Sequence, residues 1–177
     1  LMSYLNKFEI ETSYGIKAWK RWGNTAEQII KSNPYVLCIQ GVDLSFSRAD
    51  AVAAKSDIPA DSECRIKAGI TYILRQNADQ GHTCLPLDSL VKTAVSYLDV
   101  DDKLIKKVIE DETEEENLYY YDKHGRRFVM LADFYKAEDY IARRLAIMRQ
   151  ISYDNKIDFS EVIDLEEENN GIQYEKI

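Results

Sequence analysis

Between Leu87 and Leu98 the apolar residues Leu87, Leu90, Val91, Ala94, Val95 and Leu98 fall at i, i+3, i+4, i+7, i+8 and i+11, the repeat of a helix with one buried face. Its surroundings constrain the fold further. A short extended piece, His82 to Leu85, precedes it, and Pro86 is expected in the first helical turn, where its missing N–H costs nothing. Asp101 and Asp102 open a second helix with Leu104, Ile105, Val108 and Ile109 on its buried side and the acids at its N-terminus, where the helix dipole favours them. Two β-prone runs, LYYY (118–121) and RFVML (127–131), then flank DKHGR, in which Gly125 supplies the positive φ of a hairpin turn. Strand, helix, helix, hairpin is the order of a winged helix.

Upstream, residues 3–55 read as short helices broken by Gly23, Asn33-Pro34 and Gln40-Gly41-Val42-Asp43. Ile29 and Ile30 sit on a helix ending before Pro34, and Phe46, Ala49, Val52 and Ala53 mark the face of the next. Over 61–80, Ile66, Ile70, Ile73, Leu74 and Asn77 share one face of a helix, with Asp61 or Ser62 as N-cap and Gly81 as the stop. A long helix at 133–150 is expected to turn Phe134, Ala137, Ile141, Leu145 and Met148 inward and Lys136, Arg143, Arg144 and Arg149 outward. The charge-rich stretch 154–170 reads as a linker.

The formal net charge of -8 argues at first against a nucleic-acid partner. The acidity is localised, however. Six acids stand in EDETEEE (110–116) and eight in 154–177, which leaves 17 acids against 21 basic residues elsewhere. No strictly apolar stretch approaches the roughly 18 to 20 residues that span a bilayer, so no membrane partner is expected. Three cysteines at wide spacing (Cys38, Cys64, Cys84), without a CxxC pair, read as buried thiols of a cytoplasmic protein. Leu1 precedes Met2, and the chain is expected to be a piece of a longer protein.

Catalytic motifs are missing. None of the seven glycines belongs to a phosphate loop ending Gly-Lys-Ser or Gly-Lys-Thr, and no G-x-S-x-G, H-E-x-x-H or G-x-G-x-x-G stands in the chain. A nucleophile built from Cys84 and His82 is outweighed by strand packing of both, and the acidic run lacks the glycine-centred loop of a calcium site, so it reads as a solvated helix end. Binding chemistry is better represented. Residues 12–55 carry Lys17, Lys20, Arg21, Lys31, Arg48 and Lys55 against Glu27, Asp43 and Asp50. A tight turn at Asp43-Leu44-Ser45 before a helix would aim backbone N–H groups, the hydroxyls of Ser45 and Ser47, and Arg48 at a phosphate; Ser45 or Ser47 as a plain helix cap is the alternative. At the hairpin tip Lys123, His124, Arg126 and Arg127 cluster beside Tyr119, Tyr120 and Tyr121, a combination suited to single-stranded nucleic acid, with ordinary cross-strand tyrosine packing as the alternative.

KAWKRWG (17–23), NPYVL (33–37), FSRADAVAAKSDIPADS (46–62), RIKAGITYIL (65–74), GHTCLP (81–86) and FYKAEDYIARRLA (134–146), in this order, resemble the RecD-like DNA helicases, the exodeoxyribonuclease V alpha-subunit homologues. The resemblance implies a mainly α fold: a helix-hairpin-helix region over 1–60, then a connecting helix, a winged-helix-like part with a small β-hairpin and a long helix over 61–150, and an acidic linker over 151–177. It also implies an N-terminal accessory region of an ATP-driven 5′ to 3′ helicase of DNA repair and recombination. ATP and magnesium are expected for the motor and no cofactor for this chain. GIQYEKI (171–177) resembles the approach to the glutamine-containing motif that opens the motor. The implied partners are single-stranded or junction DNA and the motor itself, and the expected DNA contacts are Lys20, Arg21, Ser45, Ser47, Arg48, Lys123, Arg126 and Arg127. Asp43 and Ser45 stand where the family's hairpin has glycines, and Glu9 stands at a glycine position of an upstream turn. An acid there repels phosphate, and a side chain limits positive φ. A module that docks on the motor or a repair partner without touching DNA is the competing reading, and a stand-alone winged-helix regulator is a third.

Overall fold

The computed structural model describes residues 1–39, 41–150, 160–171 and 173. Two compact units divide the chain, Leu1–Glu138 and Asp139–Ile177.

The first unit opens with α1 (Met2–Asn6), α2 (Thr12–Trp22) and α3 (Ala26–Ser32), followed by a 3-10 turn at Pro34–Cys38 and α4 (Phe46–Ala54). Phe46, Ala49, Val52 and Ala53 are all buried, as their spacing requires. α5 (Glu63–Asp79) follows, with Ser62 at its N-cap and Gly81 just beyond its end at φ +91°. Then come β1 (Cys84–Pro86), α6 (Leu87–Leu98), α7 (Asp102–Glu114), β2 (Leu118–Lys123), β3 (Arg126–Leu131) and α8 (Ala132–Gln150). The strands form an antiparallel sheet in the order β1-β3-β2, the arrangement expected of a winged helix. Pro86 differs from expectation. It closes β1 opposite Phe128 and caps α6 from outside, where an edge strand tolerates its lack of N–H.

One apolar cluster runs through the unit, from Leu5, Ile30 and Leu37 by way of Ile66 and Ile70 to Leu98, Ile105, Leu118 and Val129. The helix-hairpin-helix elements and the winged elements therefore share a core. α5 is the beam between them, and it meets α6 closely at Gly69, where an added Cβ would lie 2.6 Å from Leu98 Cδ2.

A polar hub holds the same junction. The Arg65 guanidinium donates to Asp50 Oδ1 at 2.7 Å and Oδ2 at 3.1 Å, and to the carbonyls of Ala60 and Leu98 at 2.8 Å each. Tyr35 donates its hydroxyl to Asp50 Oδ1 at 2.5 Å. This bidentate, partly buried pair ties α4 to α5 and to the end of α6. Burial opposes ionisation of Asp50, but the hydrogen bonds from Arg65 and Tyr35 outweigh it and hold the carboxyl below its ordinary value.

The acidic run is not wholly solvated. Glu112 lies four residues after Val108 and seven after Ile105, on the buried face of α7, and is 8% exposed. Lys67 of α5 meets it at 2.8 Å, and meets Glu63 at 2.8 Å and Glu115 at 3.5 Å. Helical periodicity carried an acid inward, and Lys67 compensates its charge.

The second unit contains the later part of α8 and α9 (Ser160–Asn170). The inward face expected for α8 does not form. Phe134, in the first unit, packs against the core, but Ala137, Ile141, Leu145 and Met148 are exposed, and no residue of the helix is fully buried. Periodicity marks an apolar stripe without supplying a surface to cover it. Within the stretch read as a linker, 160–170 are helical, with five acids (Glu161, Asp164, Glu166, Glu167, Glu168) and no lysine or arginine. Residues 151–159, and most of the motif expected at 171–177, lie outside the described residues. Among the described residues no helix is long and apolar enough to cross a membrane.

Candidate nucleic-acid interface

The first candidate lies around the turn between Ile39 and Ser45. Four of its backbone donors, Gly41 to Leu44, are already occupied. Val42 and Asp43 N–H both bond to Ile39 O, at 3.1 and 3.0 Å, and Leu44 N–H bonds to Leu37 O at 2.9 Å. Gly41 N–H donates to Asp43 Oδ1 at 3.1 Å. Asp43 takes the left-handed conformation at φ +63° despite its side chain. Short polar residues reach this region when the side chain bonds locally, as Asp43 does here. The upstream turn behaves alike, with Glu9 at φ +58° and its N–H on Asn6 O at 3.1 Å.

Each turn is also clasped by a cation from a helix after the other turn. Lys17 of α2 donates to Val42 O at 3.1 Å and lies 3.8 Å from Asp43 Oδ2. Arg48 of α4 donates to Glu9 O at 3.2 Å and lies 3.7 Å from Glu11 Oε1. Arg48, expected to face a phosphate, thus gives a hydrogen bond and an ion pair to its own fold. Ser45 is the N-cap residue of α4 but makes no side-chain cap bond; its hydroxyl lies 3.5 Å from that of Ser47, and both residues are exposed. Among the described residues, these hydroxyls and the first N–H groups of α4 are polar groups that this region still presents. Lys20 and Arg21 are exposed on the last turn of α2, with the Arg21 guanidinium 5.9 Å from the Trp22 ring.

The second candidate is the β2–β3 hairpin. His124 and Gly125, at φ +50° and +72°, form its two-residue turn, the geometry that matches strand twist. That turn sets Lys123 opposite Arg126, Asp122 opposite Arg127, Tyr121 opposite Phe128 and Tyr119 opposite Met130. Because side chains alternate, these pairs separate onto two faces. Leu118, Tyr120, Val129 and Leu131 face the core. Arg127 shares their side of the sheet, forked to Asp122 at 3.0 and 3.2 Å and lying 4.8 Å from the Tyr120 ring. The fork holds the Asp122 carboxyl below its ordinary value and raises Arg127.

The outer face carries Tyr119, Tyr121 and Lys123 of β2 with Arg126, Phe128 and Met130 of β3. Arg126 and Arg127, grouped by sequence proximity, therefore serve different sides of the sheet. Lys123 and Arg126 make no hydrogen bond or ion pair among the described residues. Sequence reasoning missed Phe128 and the separation of faces. The signal was available, since a two-residue turn at His124-Gly125 determines every cross-strand pair. The Cys84 and His82 pairing gains nothing: His82 is exposed outside β1, and burial, with Glu138 nearby, pushes the Cys84 thiol up, away from the thiolate.

Comparison with protein families concerns the first of these two regions. Residues 1–84 match the family model described as the ATP-dependent RecD2 DNA helicase HHH domain, a span covering both clasped turns, α5 and the start of β1. The match makes residues 1–84 similar to the helix-hairpin-helix domain of the ATP-dependent RecD2 DNA helicases, and it supports a RecD2-like helicase N-terminal region.

Proposed function

We propose that this region binds DNA for an ATP-dependent 5′ to 3′ helicase acting in cytoplasmic DNA repair or recombination, as an exodeoxyribonuclease V alpha-like protein. ATP and magnesium belong, on this reading, to the motor domain. The observation that carries the DNA contact is the Lys123/Arg126 pair. Like charges directly opposed across two strands destabilise a hairpin, and among the described residues this pair has no neutralising acid, whereas the adjacent Arg127 has Asp122. Phosphate would supply the missing charge. Such contacts hold DNA without reading its sequence.

Fluorescence anisotropy with a labelled oligonucleotide across a salt series tests this. Binding should weaken steeply with salt, and Lys123→Glu with Arg126→Glu should lower both the affinity and the salt slope, by about 0.7 for each single-strand phosphate no longer neutralised. Unchanged affinity in that variant would refute the assignment. The second reading, docking on the motor or a repair partner without DNA, is favoured by the self-satisfied turns at Glu9 and Asp43. It predicts no DNA affinity at low salt together with tight binding to the isolated motor.

A further inference from the structure

Resting on the DNA-binding reading above, we infer that the outer face of the three-stranded sheet is a stacking platform for unpaired bases, with Tyr121 and Phe128 as the rings and Lys123 and Arg126 as the phosphate clamps. Three rows cross this face. The innermost, Cys84–Met130–Tyr119, is closed: Tyr135 of α8 stacks on Tyr119 with ring centres 4.1 Å apart and planes 4° from parallel, and Met130 is 4% exposed. The middle row, Pro86–Phe128–Tyr121, is open, with Tyr121 47% exposed and its ring centre 6.5 Å from that of Phe128. The outermost row is Arg126–Lys123.

Charge and ring chemistry together select the occupant. The nearby acid, Glu138, stands toward the closed end and accepts the Thr83 hydroxyl at 2.5 Å. Asp122 belongs to the opposite face with Arg127. The open end therefore presents two cations that no acid neutralises among the described residues, one step beyond two aromatic side chains. A base stacks on a ring while its phosphates meet the cations, the arrangement by which proteins hold single strands without sequence preference. A duplex keeps its bases stacked internally and gains nothing from Tyr121 or Phe128. An apolar protein surface would cover the rings but leave the opposed cations unpaired.

The test compares a thymidine 15-mer, an abasic 15-mer with the same phosphates and a duplex, each binding the full chain at low salt. The platform predicts about tenfold tighter binding of the thymidine strand than of the abasic strand. Tyr121→Ala, which removes the more exposed of the two rings, should lower that preference severalfold, with circular dichroism checking that the variant is folded. Lys123→Ser with Arg126→Ser should weaken both. Equal binding of thymidine and abasic strands, or a preference undiminished by Tyr121→Ala in the folded variant, overturns the platform and leaves the phosphate contacts standing. Failure to bind any of the three overturns the platform and the DNA-binding reading together.

Discussion

Lys17 and Arg48, in the helix-hairpin-helix region, each reach a backbone carbonyl and approach a carboxylate, while Lys123 and Arg126, at the sheet tip, have no hydrogen-bonding or ion-pairing partner among the described residues. Both regions set cations beside turns, and both look basic in sequence. The difference lies in what the turn backbone needs. A turn with an acid in the left-handed region has inward donors satisfied by its own carbonyls and outward groups that attract cations. A two-residue hairpin turn satisfies its backbone through the strand ladder and leaves its flanking side chains available. A count of basic residues cannot distinguish these cases, but a count of their hydrogen bonds can.

The largest expected effect concerns what lets the two regions be compared at all, their shared frame. Asp50→Ala leaves the Arg65 guanidinium partly buried without its carboxylate, and should cost about 2–4 kcal/mol, toward the lower end of values for broken buried pairs because water reaches this one. Chemical denaturation measures it. Because the folded-state value of Asp50 is depressed, its contribution is present at neutral pH and is lost as pH falls below the ordinary carboxylate range. The variant should therefore show a flatter acid side in its stability profile. Gly69→Ala comes next, since the new methyl meets Leu98 in a closed α5–α6 contact; overpacking there should cost about 1–3 kcal/mol. Neither change should alter DNA affinity under conditions where the protein remains folded.

Smaller effects sharpen the comparison itself. Arg48→Ala should lower stability by about 0.5–1.5 kcal/mol by removing the bond to Glu9 O, with DNA affinity changed by less than about twofold. Asp43→Gly should move stability least, because relief of the positive φ is offset by loss of the Gly41 N–H bond. By removing an acid from the turn it should raise DNA affinity slightly, visible as a small shift in an anisotropy titration.

The winged order was legible from periodicity and turn chemistry alone. Leu87 to Leu98, Asp101, Gly125 and the two β-prone runs each favour one local structure, and the tertiary fold agrees with all of them. The junction was not legible. Asp50, Arg65 and Tyr35 meet only after folding, and the separations of 15 positions between Arg65 and Asp50 and between Tyr35 and Asp50 follow no local period. Glu112 was misread because a run of six acids hides which one a helix turns inward. The stripe on α8 misled in the opposite direction, since Ile141, Leu145 and Met148 have helical spacing yet remain exposed. The candidate contacts were partly legible. Lys123 and Arg126 stood out by charge, but alternation about His124-Gly125 was needed to separate Arg127 from them and to bring in Phe128.

Hydrogen exchange of the full chain, with and without a saturating single-stranded oligonucleotide, tests most directly the claim that DNA contact lies on the sheet tip and not on the clasped turns. The amides of 121–128 should gain protection on binding, while those of 41–48 exchange at unchanged rates. Protection confined to 41–48, with the hairpin unaffected, would contradict the account and return the contact to the helix-hairpin-helix turn.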